Sequence, residues 1–183
     1  LSFFNEKGNA DRFRERVIFP IHNYSGKVLG FGGRALNPKN KAKYLNSPEN
    51  LIYHKSKVLY GLYFAKSEIA KQNNCYIVEG YTDVVSMCQS GIENVVSASG
   101  TALSAEQITL IGRLTKNITL LFDGDDAGLR ASFKSIDLIL KEGMNVKIVM
   151  FPEGEDPDSY SKKLTQEEYI TFLSENKKDF IQY

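Results

Sequence analysis

The fold of this chain is decided by two stretches, Cys75-Tyr-Ile-Val-Glu79 and Ile118-Thr-Leu-Leu-Phe-Asp123. Each is a short apolar run that gives way to an acidic residue and then to a glycine, which is typical of a buried strand followed by a turn. In a parallel α/β sheet, ligands bind beyond the carboxyl ends of the strands. Several carboxylates gathered there repel one another unless a cation or shared protons compensate their charge. The two stretches therefore predict a divalent-metal site.

Short strands and helices alternate regularly through the second half of the chain. Apolar runs predict strands at 76–79, 94–98, 118–122 and 146–150. Periodic segments predict helices at about 83–90, 104–114, 127–142 and 165–174. Ser104 and Thr165 begin two of these helices, because each precedes a Gln or Glu by three residues, as in a capping box. The alternation predicts an α/β fold (α+β overall) with a short parallel sheet flanked by helices.

The first half of the chain follows a different pattern, and a small basic subdomain of mixed α/β structure is expected to precede the sheet. Strands at 16–22 and 27–31 are predicted to form a hairpin around a four-residue loop. Pro20 favours an edge position for the first strand, because proline cannot donate to a central ladder. A helix is predicted over 61–72, and the subdomain boundary is placed near residues 72–75.

Charge is distributed unevenly, although the net charge is only +1. Residues 1–75 carry 13 Lys and Arg against 5 Asp and Glu, a net of +8. Residues 76–183 carry 10 against 17, a net of −7. The polarity favours a basic part that meets polyanions and an acidic part that holds cations. Two solvated faces of opposite sign are the alternative, and composition does not choose between them.

Composition also limits the class of protein. The 183 residues are 42% hydrophobic and 25% charged, as in an ordinary globular protein. No apolar run in the sequence approaches the ~20 residues that a membrane span needs, so no membrane partner is expected. Cys75 and Cys88 are too far apart for a CxxC motif, which argues against a zinc site and suits a reducing cytosol.

A third group of acids follows the strand predicted at 146–150, in the run Glu153-Gly-Glu-Asp-Pro-Asp158. Carboxylates on separate loops suit Mg²⁺, which prefers hard oxygen ligands and retains some of its waters. Two such ions can hold the attacking and the leaving oxygen of a phosphoryl transfer. The acids thus extend the predicted metal site without choosing a reaction.

The acidic stretches carry a family resemblance. Glu79-Gly-Tyr-Thr-Asp83 and Asp123-Gly-Asp-Asp-Ala-Gly128 resemble the two signatures of the Toprim domain, which is shared by bacterial primases, topoisomerases of types IA and II and some repair nucleases. Further blocks resemble bacterial DnaG-type primases, in the same order over roughly residues 12–160. They are Arg16-Val-Ile-Phe-Pro-Ile21, Gly30-Phe-Gly-Gly-Arg34, Lys43-Tyr-Leu-Asn-Ser-Pro-Glu49, His54-Lys-Ser-Lys-Val-Leu-Tyr-Gly61, Ser99-Gly-Thr-Ala-Leu103 and Glu155-Asp-Pro-Asp158.

The resemblance implies a fragment of a DNA primase, a DNA-directed RNA polymerase that makes short RNA primers for replication by metal-dependent nucleotidyl transfer. Mg²⁺ is the implied cofactor, with Mn²⁺ as a substitute. The implied catalytic ligands are Glu79, Asp123 and Asp125. The implied auxiliary acids are Asp156 and Asp158 as further metal ligands, and Asp83 and Asp126 as groups that orient the ligands.

Basic residues in the matching blocks are implied to bind the phosphates of nucleotide and nucleic acid; they are Arg16, Arg34, Lys43 and Lys55. Arginine presents a planar fork to a phosphate and lysine a point charge. Three glycines precede the second arginine, and they are expected to bend the chain sharply and to offer backbone N–H groups to an anion; they are Gly30, Gly32 and Gly33.

Three regions are implied: 1–74 as a truncated basic subdomain of the primase core, 75–160 as the Toprim domain, and 161–183 as the start of a helical part. The sequence shows neither the zinc-ribbon motif nor the helicase-binding domain of the full-length family. Implied partners are a single-stranded DNA template and ribonucleoside triphosphates, at the replication fork in the bacterial cytoplasm. Replicative helicase and single-strand-binding protein would contact parts of the parent protein that are largely absent here.

Three alternatives remain at this point. The chain could be another Toprim enzyme, either a topoisomerase, whose tyrosine nucleophile lies outside the Toprim domain, or a nuclease. A non-catalytic module that binds single-stranded nucleic acid is an alternative of another class. A phosphotransferase of the haloacid dehalogenase type is a third, but it expects a threonine shortly after the acids, and Gly128 ends that run instead.

Overall fold

The computed structural model describes residues 2–5, 8–100, 102–122 and 126–180, with side chains described for 11–100, 102–122 and 134–180. Its strands are β1 Ser2–Asn5, β2 Gly8–Asp11, β3 Arg16–His22, β4 Val28–Ala35, β5 Tyr44–Asn46, β6 Cys75–Val78, β7 Val95–Ser97, β8 Asn117–Phe122, β9 Asn145–Met150 and β10 Lys178–Asp179. Its α-helices are α1 Leu62–Gln72, α2 Tyr81–Gln89, α3 Ala105–Gly112, α4 Asp126–Lys141, α5 Pro157–Ser161 and α6 Gln166–Glu175.

The second half of the chain forms a five-stranded sheet in the order β10-β9-β8-β6-β7. Strands β6 to β9 are mutually parallel, and the short β10 pairs with the edge strand β9 in the antiparallel sense. The predicted strands and helices of this half are confirmed, with bounds that differ by at most two residues, and so is the α/β fold class. The chain passes from β6 to β7 on one side and then to β8 on the other. The carboxyl ends of β6 and β8 therefore flank the point where the strand order reverses.

Both faces of this sheet are covered by helices, as a parallel sheet requires. One face packs against α1, α3 and α4 through a cluster that includes Leu62, Ile69, Ile111 and Ile139. The other face packs against α2, α5 and α6 through a cluster that includes Met87, Tyr169 and Leu173. No helix in the described part of the chain combines the length and the apolar character needed to cross a bilayer.

The basic first half contains an antiparallel three-stranded sheet in the order β3-β4-β5, and a separate β1-β2 hairpin. The hairpin of β3 and β4 is confirmed, and Pro20 lies on the edge strand β3 as predicted. Strand β4 runs on to Ala35, four residues beyond the predicted end. The β1-β2 hairpin and β5 have no counterpart in the sequence-based prediction.

The prediction for the glycine-rich run was wrong. Gly30, Gly32 and Gly33 lie inside β4 and pair with residues of β3, so the chain does not bend there. The three glycines instead make room for aromatic rings. A Cβ on Gly32 would lie 2.4 Å from Tyr81 Cε2, and a Cβ on Gly33 would lie 2.6 Å from Phe13 Cδ1.

Helix α1 belongs to the first half by sequence but packs on the sheet of the second half. Leu62, Ala65 and Ile69 are fully buried in the same cluster as Ile77 of β6. The backbone of Tyr60, just before α1, also exchanges two hydrogen bonds with Ser97 of β7, at 2.9 and 3.0 Å. The division into residues 1–74, 75–160 and 161–183 stays a prediction, and across its first boundary the two halves share one core.

Candidate active-site cleft

A cleft of about 460 Å³ lies where the three-stranded sheet meets the carboxyl edge of the parallel sheet. One side of the cleft, the basic wall, carries two cations from the first half of the chain, Arg34 and Lys43. The other side, the acidic wall, carries four carboxylates from the second half: Glu79, Asp83, Asp156 and Asp158. The cleft therefore brings together acidic and basic residues that the sequence predicted as two separate sets.

Glu79 is the first residue beyond β6 and has an exposed position that lines the cleft. Asp83 follows one turn later in α2 and is buried. Its Oδ2 accepts a hydrogen bond of 2.8 Å from the backbone N–H of Gly80. This contact satisfies a helix N-terminal donor and also fixes the turn that carries Glu79.

The two acids of the Asp-Pro-Asp run have structural partners of their own. Asp156 is the N-cap of α5, and its Oδ1 accepts a hydrogen bond of 2.6 Å from Ser159 N–H. Asp158 Oδ1 lies 2.8 Å from Lys162 Nζ and accepts a hydrogen bond from the Ser86 hydroxyl. Burial alone would raise the pKa of Asp158, but these hydrogen bonds and the charges of Lys162 and Arg34 outweigh it and lower that pKa.

The remaining acids of the sequence prediction cannot be placed in the same way. Asp123 and Asp125 lie outside the described residues, and the side chain of Asp126, the first residue of α4, is not described. Strand β8 ends at Phe122, immediately before them, at the same edge of the sheet as Glu79. Among the residues that are described, no group of three or more histidine, cysteine or acidic side chains is arranged to hold a metal ion.

Two of the four cations in the sequence prediction line the cleft. Arg34 lies near the end of β4, and Lys43 immediately precedes β5. Both pack near the ring of Tyr44, with the Arg34 Cζ 5.8 Å and the Lys43 Nζ 5.9 Å from its centroid. The two cations make cation–π contacts with this ring, and the open cleft beside them has space for an anion.

The other two cations do not line the cleft. Arg16 Nη1 donates to the backbone carbonyls of Gly33 and Lys43, at 3.3 and 3.4 Å. Its guanidinium thereby bridges β4 and the segment that leads into β5. Lys55 lies in a short 3₁₀ helix, and its backbone carbonyl accepts a hydrogen bond of 3.0 Å from Gln107 Nε2.

Polar contacts join the two walls of the cleft, and sequence reasoning did not single out the residues that make them. Tyr81, at the start of α2, is 2% exposed and donates a hydrogen bond of 2.9 Å to Asn46 Oδ1. Asn46 Nδ2 reaches the carbonyl of Ser99 at 3.4 Å, and the hydroxyls of Tyr44 and Thr82 lie 3.2 Å apart. All of these residues lie in blocks that resemble primases or the Toprim signature, which is the one signal that the sequence offers for them.

The donor chemistry of the cleft fits a hard divalent cation. Its described acidic wall offers carboxylate oxygens, with neither histidine nor cysteine among the described lining residues. Two of the carboxylates already accept backbone N–H hydrogen bonds, which hold them in place. Of the described carboxylates that line the cleft, Glu79 has the most exposed position.

Two family models match the chain. The DNA primase catalytic core, N-terminal domain, matches residues 2–66, and the Toprim-like model matches residues 76–161. A DNA primase of Halalkalibacterium halodurans is 47% identical over 159 residues, which are 87% of this chain and 26% of that protein. The chain thus spans about a quarter of the length of this relative.

Solved structures agree with these matches. A DNA primase domain from Pseudomonas aeruginosa superposes with a TM-score of 0.90 at 38% identity, covering 100% of this chain and 58% of that one. The DnaG primase catalytic domain bound to ssDNA superposes with a TM-score of 0.87 at 40% identity, covering 97% of this chain and 58% of that one. The ordered basic and acidic blocks, the cleft between them and these matches agree, and the chain belongs to the bacterial DnaG-type DNA primase family, as a part of its catalytic core.

Proposed function

We propose that the cleft is the nucleotidyl-transfer site of a primase, which synthesises short RNA primers on a single-stranded DNA template. One observation carries the proposal: Arg34 and Lys43 line the same cleft as Glu79, Asp156 and Asp158, although they belong to a different sheet. A cleft with cations on one wall and carboxylates on the other suits a metal-bound triphosphate, since the cations can bind phosphate oxygens and the carboxylates can bind the ion.

Glu79, Asp123 and Asp125 are the proposed metal ligands, and Asp156 and Asp158 help to place the ion that accompanies the triphosphate. Mg²⁺ is the proposed ion, with Mn²⁺ as its substitute. When bound, it supplies Lewis-acid activation of the primer 3′-hydroxyl and neutralises charge on the departing pyrophosphate. Asp83 keeps the Gly80 turn in place, and Asp126 is proposed to orient its neighbours.

The phosphate-binding role falls to Arg34 and Lys43. Arg34 can present two parallel N–H groups to a phosphate, and Lys43 adds a point charge beside it. The attacking group is a substrate hydroxyl, so the reaction needs no side-chain nucleophile. Arg16 and Lys55 are proposed to act on the nucleic-acid backbone or through the structure of the basic wall, because neither lines the cleft.

The template is proposed to be single-stranded DNA, and the substrates ribonucleoside triphosphates, at the replication fork in the bacterial cytoplasm. The similarity to a primase domain whose structure holds ssDNA supports this assignment. Contacts with the replicative helicase and with single-strand-binding protein would be made by other parts of the parent protein.

The experiment compares the full-length parent protein with its Glu79→Gln variant on a single-stranded template with ribonucleotides and Mg²⁺. Glutamine keeps the shape of the side chain but removes its charge, so primer synthesis should fall at least about 100-fold, since a metal contributes several kcal/mol and each 1.4 kcal/mol is tenfold. Glu93→Gln is the matched control, because Glu93 is also exposed but lies outside the cleft. Unchanged synthesis in Glu79→Gln, or template binding without synthesis in the wild-type parent, would overturn the proposal.

A further inference from the structure

Ser97 is a polar residue at the end of an apolar strand. It closes Val95-Val-Ser97 in β7, and its side chain is fully buried, with 0% exposure. A buried hydroxyl needs a hydrogen-bond partner, because leaving it unpaired costs about 1–3 kcal/mol. The partner that it has therefore indicates what the residue does.

The backbone of Ser97 is already occupied. Its N–H and C=O both pair with Tyr60, at 3.0 and 2.9 Å, and its register partner in β6 is Val78. Contacts of Ser97 beyond the end of the β6-β7 ladder are therefore made by its side chain.

The hydroxyl reaches the residue that follows the ladder. Ser97 Oγ donates a hydrogen bond of 2.6 Å to the carbonyl of Glu79, and it accepts one of 2.8 Å from the N–H of Ser99. Ser99 has a φ of 60°, in the left-handed region, and lines the cleft. One buried hydroxyl thus hydrogen-bonds both the segment that contains Glu79 and the segment that contains Ser99, and both segments line the cleft.

We propose that Ser97 is a positioning residue that fixes the backbone of Glu79, so that the glutamate carboxylate is preorganised for a divalent metal. The inference rests on the proposed metal role of Glu79. The β6-β7 ladder ends at the Val78–Ser97 pair, and the Ser97 hydroxyl bonds the Glu79 carbonyl just beyond it. A ligand held in this way loses less freedom when it binds an ion.

The test measures the affinity of the chain for Mn²⁺ alone, by electron paramagnetic resonance of the free ion, together with thermal unfolding. Ser97→Ala should weaken Mn²⁺ binding about tenfold, as expected when a group that orients a metal ligand is removed. Ser97→Thr keeps the hydroxyl and should restore binding to within about twofold of the wild type. If Ser97→Ala does not fold, Ser97→Cys serves in its place, because its thiol has a similar shape but is a weak donor.

Thr119→Val is the matched control. Thr119 is also 0% exposed, and its hydroxyl donates a hydrogen bond of 2.8 Å to Asn74 Oδ1, at the start of β6 and away from the cleft. Both variants lose one buried hydroxyl, so both should lower the melting temperature. Only the Ser97 variant should change the affinity for Mn²⁺, which separates positioning from a general loss of stability.

Three outcomes decide the matter. Mn²⁺ binding that depends on Glu79 but is unchanged in Ser97→Ala overturns the role of Ser97 and leaves the proposed function intact. Equal weakening by Ser97→Ala and Thr119→Val also overturns it, since stability would then explain both. Mn²⁺ binding that is insensitive to Glu79→Gln overturns the proposed metal role and this inference together.

Discussion

The two walls of the cleft deliver their charged residues in different ways. On the acidic wall, Glu79 and Asp156 follow strands β6 and β9 of one parallel sheet, and every such strand ends at the same edge. On the basic wall, Arg34 lies in β4 of an antiparallel sheet and Lys43 immediately precedes β5. Successive side chains along such a strand point to opposite faces of the sheet. The parallel topology gathers its acids by itself, whereas the cations reach the cleft only through packing.

Because of this difference, the sequence predicts the residues of the acidic wall better than those of the basic wall. The described acids to which the prediction gave a metal-binding or orienting role, Glu79, Asp83, Asp156 and Asp158, all line the cleft, whereas only two of the four predicted cations do. The basic wall also depends on close contacts with the acidic one, notably between Gly32 and the Tyr81 ring. For stability and for DNA binding, we therefore expect the largest effects where the two walls touch and smaller ones where a single charge is removed.

The largest effect is expected from Gly32→Ala. The added methyl would lie 2.4 Å from Tyr81 Cε2, and the Tyr81 ring is buried and stacks on Phe19 with 5.1 Å between the ring centroids. Overpacking of this kind should lower the free energy of unfolding by about 2–3 kcal/mol in urea denaturation.

Gly112→Ala is the control for that substitution. Its added Cβ would meet Met144 Sδ at 3.6 Å, an ordinary contact, and alanine favours the α3 helix that contains it. Its stability should be unchanged or higher by up to about 1 kcal/mol. Equal losses for the two glycines would show that the walls are not packed as described.

The next effect concerns Arg34→Ala. Losing a guanidinium from the basic wall should weaken binding of a single-stranded DNA oligonucleotide about tenfold, since a hydrogen bond to a charged group is worth about 1.5–3 kcal/mol. Fluorescence anisotropy over a series of salt concentrations measures this, and the slope of affinity against salt should decrease.

Two further variants, one of a lysine and one of an arginine, test whether the loss of DNA affinity is specific to Arg34. Lys39→Ala removes an exposed cation that does not line the cleft, so it should change the affinity much less. Arg16→Ala should cost about 1 kcal/mol of stability instead, because its guanidinium bridges two backbone carbonyls. A larger loss of affinity in Arg16→Ala than in Arg34→Ala would reverse the assignment of the basic wall.

A smaller effect separates the two roles open to Asp156. Asp156→Ala removes the N-cap of α5 and should lower the free energy of unfolding by about 1 kcal/mol, whereas Asp156→Asn keeps a good cap and should cost only a few tenths. Thermal unfolding measures both. If Asp156→Asn is as stable as the wild type but binds Mn²⁺ more weakly, the carboxylate has a role in metal binding besides capping. Equal stability of both variants would contradict the cap.

The smallest effect concerns pH. The pKa of Asp158 is lowered in the folded protein, so its ionised form stabilises the fold at neutral pH, and this contribution is lost as the pH falls below its usual pKa of 3.8 and through the folded value. The stability difference between wild type and Asp158→Asn should therefore be less than about 1 kcal/mol at pH 6 and shrink towards zero as the pH falls through the folded pKa, in urea titrations. In a Lys162→Met background, the difference at pH 6 should already be smaller. A difference that grows in acid would contradict the sign.

Several features could be read from the sequence because they are local. The strands β6, β8 and β9 are rich in apolar residues, and the capping boxes at Ser104 and Thr165 mark helix starts that the structure confirms. The cap at Asp156 was readable as well, since proline follows it at the first helical position and Ser159 lies three residues on. The sequence does not single out this cap, because an acidic run after a strand fits a metal site equally well.

Other features could not be read in this way. The glycines of β4 were misjudged because the rings that need their space, Tyr81 and Phe13, are distant in sequence. The block that contains Arg16 resembles primases but does not indicate that its side chain hydrogen-bonds the carbonyls of Gly33 and Lys43. Such directions depend on the packing of both sheets together.

The sequence by itself determined the parallel sheet, the positions of its strands along the chain and the family, because hydrophobic period, capping and motif order are local or linear properties. Only the tertiary structure decided that Arg34 and Lys43 face the acids, that Tyr81 binds Asn46 across the cleft, and that Ser97 holds the carbonyl of Glu79. These contacts join residues that are 18 to 35 positions apart or lie in different sheets. Their geometry follows from how the two sheets pack and not from any single segment.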